Sequence, residues 1–156
     1  MSEKRTTLES LMPLMQACFE EGKTFRFSPG GISMLPTIRP NRDVVVVSQL
    51  PPQLKKYDLP LYRRSGGEFV LHRIVEAGDT YTCVGDGQFE LERGVTQEQM
   101  VAIVTTIIRN GREISVNAPM YRLYCRFWVH TRKIRHVIKW PKYYLRRALT
   151  WLKFKH

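Results

Sequence analysis

The chain has 156 residues, the size of one ordinary domain, and its 43% hydrophobic content excludes an intrinsically disordered protein. Its net charge of +11 is unevenly placed, because residues 1–121 hold 14 basic and 14 acidic side chains, whereas residues 122–156 hold 11 basic and no acidic ones. We therefore expect a neutral domain over residues 1–118 and a basic, aromatic helical tail over residues 119–156 that meets an anionic partner.

The cysteines and the hydropathy bear on the cellular compartment. Cys18, Cys83 and Cys125 are odd in number and far apart, so we expect neither a disulfide framework nor a zinc site, and we predict no metal and no cofactor. The sequence shows no secretory signal and no run of about 18 apolar residues that would span a membrane. These features predict a reducing, cytoplasmic environment.

The first predicted element is a helix that packs on the domain, with a protein-docking helix as the alternative. Gly22 is expected to end it. Its apolar residues recur at helical spacing: Leu8, Leu11, Met12, Met15 and Phe19.

From Thr24 to Arg109 the pattern changes to short strands and turns. Val44–Val47 is an unbroken β-branched run, which is typical of a buried strand, and Asn110-Gly111 is expected to begin the exit from this region. We predict a mainly β fold, a compact antiparallel β domain with one N-terminal helix before it and basic C-terminal helices after it. Further strands are predicted over residues 25–27, 59–63, 68–75, 80–84 and 101–108, with hairpin turns at 65–67 and 78–79.

Residues 120–140 and 142–155 return to helical spacing. Both segments mix Trp, Tyr and Phe with Lys and Arg, the composition of a helix that lies on a membrane surface. We therefore expect peripheral binding to the inner face of an anionic membrane through residues 130–156, with a solvated basic helix as the alternative. A nucleic-acid partner is disfavoured, because aromatic residues on helices do not form the usual stacking platforms.

Three short segments contain residues suited to catalysis. Ser33 follows a Gly-Gly pair and precedes Pro36; glycine permits unusual backbone dihedrals and close approach of a substrate, and proline stiffens the other side. His72, the only histidine in the first 121 residues, has an ordinary pKa near neutrality, as a general base requires. Asp86 lies in a glycine-flanked turn. A plain turn, a core histidine and a turn acid are the structural alternatives.

Together and in this order, the segments resemble the signal peptidase I family and the related self-cleaving repressors of the DNA-damage response. The resemblance extends over residues 25–108. The family's Ser-Met-x-Pro nucleophile motif corresponds to Ser33-Met34-Leu35-Pro36-Thr37. The acid and hydrophobic strand that follow in the family correspond to Asp43 and Val44–Val47, and the next Gly-Asp and strand correspond loosely to Tyr57–Arg63. The segment that carries the base corresponds to His72–Val75, and the last Gly-Asp corresponds to Gly85-Asp86.

The resemblance implies a β domain of the signal peptidase type and a serine endopeptidase, with Ser33 as nucleophile and His72 as general base. It points to the branch of the family that uses histidine in a His-Arg motif. The lysine base of the other branch is excluded at this position, since no lysine lies between Lys56 and Lys133. The family also implies an extended peptide or precursor substrate with small residues near the cut.

The resemblance leaves the third member of the site open. Asp86 corresponds to the family's Gly-Asp acid and is expected to hold the imidazole of His72. Glu92, which precedes an Arg-Gly pair, corresponds to a second family acid, although glutamate there is a departure. Asp79 is a further alternative.

The chain departs from the family around the nucleophile. Gly31, two residues before Ser33, offers no hydroxyl, so an oxyanion hole would use backbone N–H groups, that of Ser33 first. Arg42 replaces the usual glycine before Asp43, so we expect that turn to rely on Asn41.

Two other functions are compatible with the sequence. A catalytically inactive module on the same fold would hold an extended peptide without cutting it. A nucleic-acid-binding or regulatory protein is suggested by the basic tail and the kinship with repressors, but no helix-turn-helix precedes the β domain. The peptidase is preferred because the nucleophile and base motifs occur together.

Overall fold

The computed structural model describes residues 8–135 and 137. Within this part of the chain the fold is mainly β, with antiparallel sheets and few helices, as the sequence predicts. The elements, in chain order, are helix α1 (Leu8–Glu20), strands β1 (Phe25–Phe27), β2 (Asp43–Ser48), β3 (Pro60–Arg63), β4 (Phe69–Leu71), β5 (Arg73–Ala77), β6 (Tyr81–Val84) and β7 (Glu92–Val95), a 3-10 turn (Gln97–Gln99), strands β8 (Met100–Arg109) and β9 (Arg112–Ser115), and helix α2 (Pro119–His130).

The described strands form two antiparallel sheets. In the larger sheet the strand order is β1-β2-β8-β3-β4, and β9 pairs with β8; in the smaller sheet the order is β5-β6-β7. Strand β8 pairs with β2, β3 and β9 and so holds the larger sheet together. The buried strand predicted over Val44–Val47 is confirmed, since it forms most of β2 next to β8.

Two apolar clusters form the core. The larger joins α1 to the six-stranded sheet, with Met15 and Val47 fully buried. The smaller joins the two sheets through Tyr62, Ile74 and Cys83. Each fully buried side chain of this kind contributes about 1.5–3 kcal/mol, so the two sheets are held as one unit.

Helix α1 ends where the sequence predicts, at Gly22, which adopts a φ of 69°. The N–H groups of Gly22 and Lys23 donate to the carbonyl oxygens of Phe19 and Cys18, at 2.9 and 2.8 Å. This pair of bonds is a Schellman motif, which satisfies two carbonyl groups that the helix end would otherwise leave without partners.

The structure corrects two predictions about the strands. Asn110-Gly111 does not end the β region, because both residues have positive φ (51° and 76°) and form the turn of a hairpin that leads into β9. The single strand predicted over residues 68–75 is two strands, since the chain leaves the larger sheet after β4 and enters the smaller one at β5. His72 is the residue between them.

The helix predicted over residues 120–140 is present as α2, and helical backbone resumes over 132–135 after a turn at Thr131. The segment 142–155 lies outside the described residues. No helix in residues 8–135 and 137 combines the length and hydropathy needed to cross a membrane.

Candidate active site

Ser33 lies in the turn segment between β1 and β2 and is half-buried. Two apolar neighbours, Met34 and Ile38, are buried in the core and are joined by a bond from the Ile38 N–H to the Met34 carbonyl, at 2.9 Å. Ile32, on the other side of Ser33, is exposed. The segment is therefore anchored just after the serine, which itself is only half-buried.

The turn after β6 packs directly against Ser33. The Gly87 N–H donates to the Ser33 carbonyl oxygen at 2.8 Å. A Cβ added to Gly85 would lie 2.6 Å from that oxygen and 3.0 Å from Ser33 Cβ, which is too close for any side chain. Glycine is therefore required at position 85 by close approach, and this contact fixes the backbone of Ser33.

Gly30 and Gly31 have a different character. Neither has a positive φ, and a Cβ added at either would meet nothing within 4 Å. The sequence-based expectation that these glycines supply unusual dihedrals is wrong for the folded chain.

His72 is 1% exposed, at the point where the chain crosses from one sheet to the other. Its Nδ1 lies 3.1 Å from Glu92 Oε1 and 3.2 Å from the Tyr62 hydroxyl oxygen. The Tyr62 hydroxyl donates to Glu92 Oε2 at 2.7 Å, so its proton is directed away from the imidazole. This pattern assigns the proton of neutral His72 to Nδ1 and leaves Nε2 as an acceptor.

Glu92, the first residue of β7, is held by two neighbours. Arg64 donates to both carboxylate oxygens, and Tyr62 donates to one of them. Burial raises the pKa of Glu92, but the hydrogen bonds from Arg64 and Tyr62 outweigh it and hold the pKa below its ordinary value. Glu92 is therefore ionised at neutral pH.

The surroundings favour neutral His72. Burial is the largest effect and lowers the pKa of His72; the charge on Glu92 raises it, and the charge on Arg64 lowers it again. The result is a pKa below the ordinary value of 6.5. The imidazole is therefore unprotonated at neutral pH, which a general base requires.

Asp86 has other partners than His72. Its carboxylate accepts two parallel hydrogen bonds from Arg73, at 2.8 and 2.7 Å, and a third from the Thr37 hydroxyl. No hydrogen bond joins Asp86 to His72 among the residues that the structure describes. The expectation that Asp86 holds the imidazole does not match these contacts, because the acid that touches the ring is Glu92. Asp79 is exposed in the turn between β5 and β6.

The Arg73–Asp86 pair fastens helix α2 to the site. Arg73 is fully buried and also donates to the Tyr121 hydroxyl at 3.2 Å. The hydroxyl groups of Tyr124 and Thr37 lie 3.0 Å apart. Burial opposes the charge on Arg73, but Asp86 and Tyr121 raise its pKa well above the ordinary value. Sequence reasoning missed this role of α2; the arginine directly after His72 was the available signal.

The turn after β6 connects the surroundings of Ser33 with those of His72. Strands β5 and β6 pair Arg73, the residue after His72, with Val84, the residue before Gly85. Gly85 is in turn the residue that touches Ser33 Cβ. Within the described part of the chain, neither the hydroxyl nor the N–H of Ser33 has a hydrogen-bond partner. No hydrogen bond joins Ser33 to His72 among the residues that the structure describes.

A groove of about 650 Å³ lies beside β1 and reaches Gly30, three residues before Ser33. Among the described strands β1 pairs with β2 alone, so its other edge is open. Apolar side chains line the groove: Leu8, Leu11, Phe25 and Phe27.

Neither a metal-binding cluster among the described residues nor a match to a known protein indicates the function of this chain. In residues 8–135 and 137 no group of three or more His, Cys, Asp or Glu side chains is arranged to hold a metal ion, and all three cysteines are free. No protein-family model matches the sequence, and neither the curated proteins nor the solved structures contain a match.

Proposed function

We propose that this chain is a serine endopeptidase of the signal peptidase I type, in which Ser33 is the nucleophile and His72 the general base. The observation that carries the proposal is the buried imidazole of His72, which Glu92 contacts at Nδ1 and which directly precedes the Arg73–Val84 strand pair, while Gly85, directly after that pair, contacts Ser33. Glu92 takes the positioning role that the family resemblance assigns to Asp86. Buried titratable pairs of this kind are concentrated at functional sites.

The chemistry follows from the protonation states. His72 Nε2 accepts the proton of the Ser33 hydroxyl while Oγ attacks the carbonyl carbon of the substrate, and the resulting imidazolium is stabilised by Glu92 at Nδ1. The imidazolium then gives the proton to the departing amine, and the acyl group stays on Ser33. Water, deprotonated by the same imidazole, releases the acyl group and restores the hydroxyl. Catalytic hydrogen bonds often tighten only when substrate is bound.

The tetrahedral intermediate needs donors for its oxyanion. The Ser33 N–H has no hydrogen-bond partner among the described residues and so is available for this role. Gly31 supplies no side-chain donor. The Leu35 N–H donates to the Ile32 carbonyl oxygen at 3.1 Å, which holds the peptide plane that carries the Ser33 N–H.

The substrate is an extended peptide that adds to the open edge of β1. Main-chain hydrogen bonds to an edge strand bind a peptide irrespective of its sequence, and the groove beside β1 accepts alternate side chains. Gly30 and Gly31 leave room for the peptide backbone close to Ser33. We expect the activity to reside in the cytoplasm, because cysteines that form no disulfide are typical of a reducing compartment.

A peptide library analysed by mass spectrometry tests the proposal, because the library offers many different cleavage sites at once. The native chain is expected to produce cleavage products, and Ser33→Ala and His72→Ala are each expected to abolish them. Because the two groups act as one unit, the double variant is little worse than either single one. Ser65→Ala, in the exposed hairpin turn between β3 and β4, is the matched control and keeps full activity. Independent, additive losses would contradict a shared mechanism.

A peptide-binding module without activity is the second candidate. The observation that favours it is the lack of a direct hydrogen bond between Ser33 and His72 in the described structure. In the same library experiment this function predicts that peptides are retained intact, and that Ser33→Ala retains them equally well.

A further inference from the structure

Helix α2 presents its inner face to the β domain. Trp128 Nε1 donates to the Asp86 carbonyl at 2.9 Å, and Tyr121 and Tyr124 reach Arg73 and Thr37. Cys125, on the same face, is buried. These contacts set the rotation of the helix about its axis, so that the opposite face points to solvent.

The outer face of α2 and of the helical turn after it carries large apolar side chains. Each is between 60% and 76% exposed, and their spacing of three, four or seven positions places them on one side of a helix. Exposed apolar stripes of this extent mark interaction surfaces. We name this surface the outer stripe; it consists of Met120, Leu123, Phe127, Ile134 and Val137.

The charged side chains of α2 and of the helical turn after it have one sign. Arg126 and Lys133 are exposed next to Phe127 and Ile134, and the chain holds no Asp or Glu from residue 114 to its end. An apolar stripe bordered by cations is the pattern of a helix that lies in the interface of an anionic membrane.

We propose that the outer stripe docks this protein on an anionic lipid bilayer. A second copy of the same face is disfavoured, since it would bring Arg126 and Lys133 against like charges. A nucleic acid is disfavoured too, because four of the five side chains are aliphatic and offer no ring on which bases stack. The docking surface thus begins at Met120, ten residues before the segment 130–156 that composition alone indicates. The docking proposal does not depend on the proposed peptidase activity.

Docking through α2 would hold the candidate site at the membrane. The inner face of the same helix contacts Thr37 and Asp86, and a helix with its side chains is about 10–12 Å across. Ser33 lies four residues from Thr37 in the same turn segment. The Ser33 segment is therefore kept within a short distance of the lipid surface.

The test is sedimentation of the full chain with vesicles of phosphatidylglycerol and phosphatidylcholine, compared with vesicles of phosphatidylcholine alone. The native chain is expected to bind the anionic vesicles, and added salt is expected to weaken that binding. Leu123→Ser/Phe127→Ser is expected to lower the affinity at least about tenfold. Leu14→Ser, an exposed leucine of α1, is the matched control and binds as the native chain does.

A second variant keeps the test decisive if the first one unfolds. Arg126→Gln/Lys133→Gln leaves the apolar side chains in place and is expected to reduce the preference for anionic over neutral vesicles. Three results would overturn the proposal: failure of the native chain to bind anionic vesicles, native-like binding by the folded stripe variant, or a dimer of the native chain that the stripe variant converts to a monomer with vesicle binding unchanged.

Discussion

Glu92 Oε1 lies 3.1 Å from Nδ1 of His72. Glu92 is the first residue of β7 and His72 directly precedes β5, and β6 lies between these two strands in the smaller sheet. The contact is possible because His72 sits at the crossing between the sheets, where the Tyr62 hydroxyl bridges toward both groups. A carboxylate that touches one imidazole nitrogen fixes the tautomer and leaves the other nitrogen to accept a proton. This relationship defines how the proposed site is tested.

Replacement of Glu92 by Gln is expected to lower kcat by about 10²- to 10⁴-fold while the fold persists, because the amide cannot stabilise the imidazolium or hold the correct tautomer. Peptide cleavage followed by mass spectrometry measures the change. Glu68→Gln is the control, because Glu68 also pairs with Arg64 but is exposed and does not reach His72. Equal losses in the two variants would assign the effect to Arg64 instead.

Replacement of Asp86 by Asn is expected to lower the free energy of unfolding by about 3–5 kcal/mol, because it leaves the fully buried guanidinium of Arg73 without its charged partner. Urea unfolding at neutral pH measures this quantity. Asp79→Asn, in an exposed turn, should change it by no more than about 0.5 kcal/mol. If Asp86→Asn is as stable as the native chain but has lost activity, Asp86 rather than Glu92 would be the acid that holds His72.

The acid limb of the pH profile should lie below pH 6.5. Burial lowers the pKa of His72, so the neutral, base-competent form persists to lower pH than for an ordinary histidine, and kcat/KM falls only as the pH drops through that lowered value. Since the charge on Glu92 raises this pKa, Glu92→Gln should move the residual acid limb to still lower pH. A limb above pH 6.5 in the native chain, or a move to higher pH in the variant, would contradict the assignment.

Replacement of Gly85 by Ala is expected to reduce cleavage strongly, because the added methyl group would clash with the Ser33 carbonyl oxygen and move the serine. A displacement of about 1 Å at a reacting group costs about 10²-fold in rate. Gly66→Ala is the control, as a Cβ there meets nothing within 4 Å. Native activity in Gly85→Ala would show that the turn does not position Ser33.

Much of the β architecture is accessible from local pattern. The β-branched run of β2 and Gly22 at the end of α1 each follow from local sequence, so these features are predicted where they occur. Asn41 takes the left-handed conformation (φ 60°), as expected for a turn that has Arg42 in place of the usual glycine before Asp43. By contrast β7, with the sequence Glu-Arg-Gly-Val, has no alternation to identify it and is a strand only because β6 pairs with it.

The break at His72 is invisible to local pattern for a related reason. Residues 68–75 have the pattern of one mostly apolar strand, and nothing in this stretch marks which of the two sheets each half will join. Sheet membership depends on partners far away in sequence, here β3 for one half and β6 for the other. The burial of the imidazole follows from that crossing.

The amino-acid sequence by itself determined the mainly β character, the one-sided charge of the C-terminal segment and the candidates Ser33 and His72, since each depends on residue type and near neighbours. Only the tertiary structure decided which carboxylate reaches the imidazole. The planar guanidinium of Arg73 donates two parallel, charge-assisted hydrogen bonds to Asp86 in a buried setting, so the Asp86 carboxylate binds Arg73 and not His72. The pairing of β6 with β7 places Glu92 next to His72 instead.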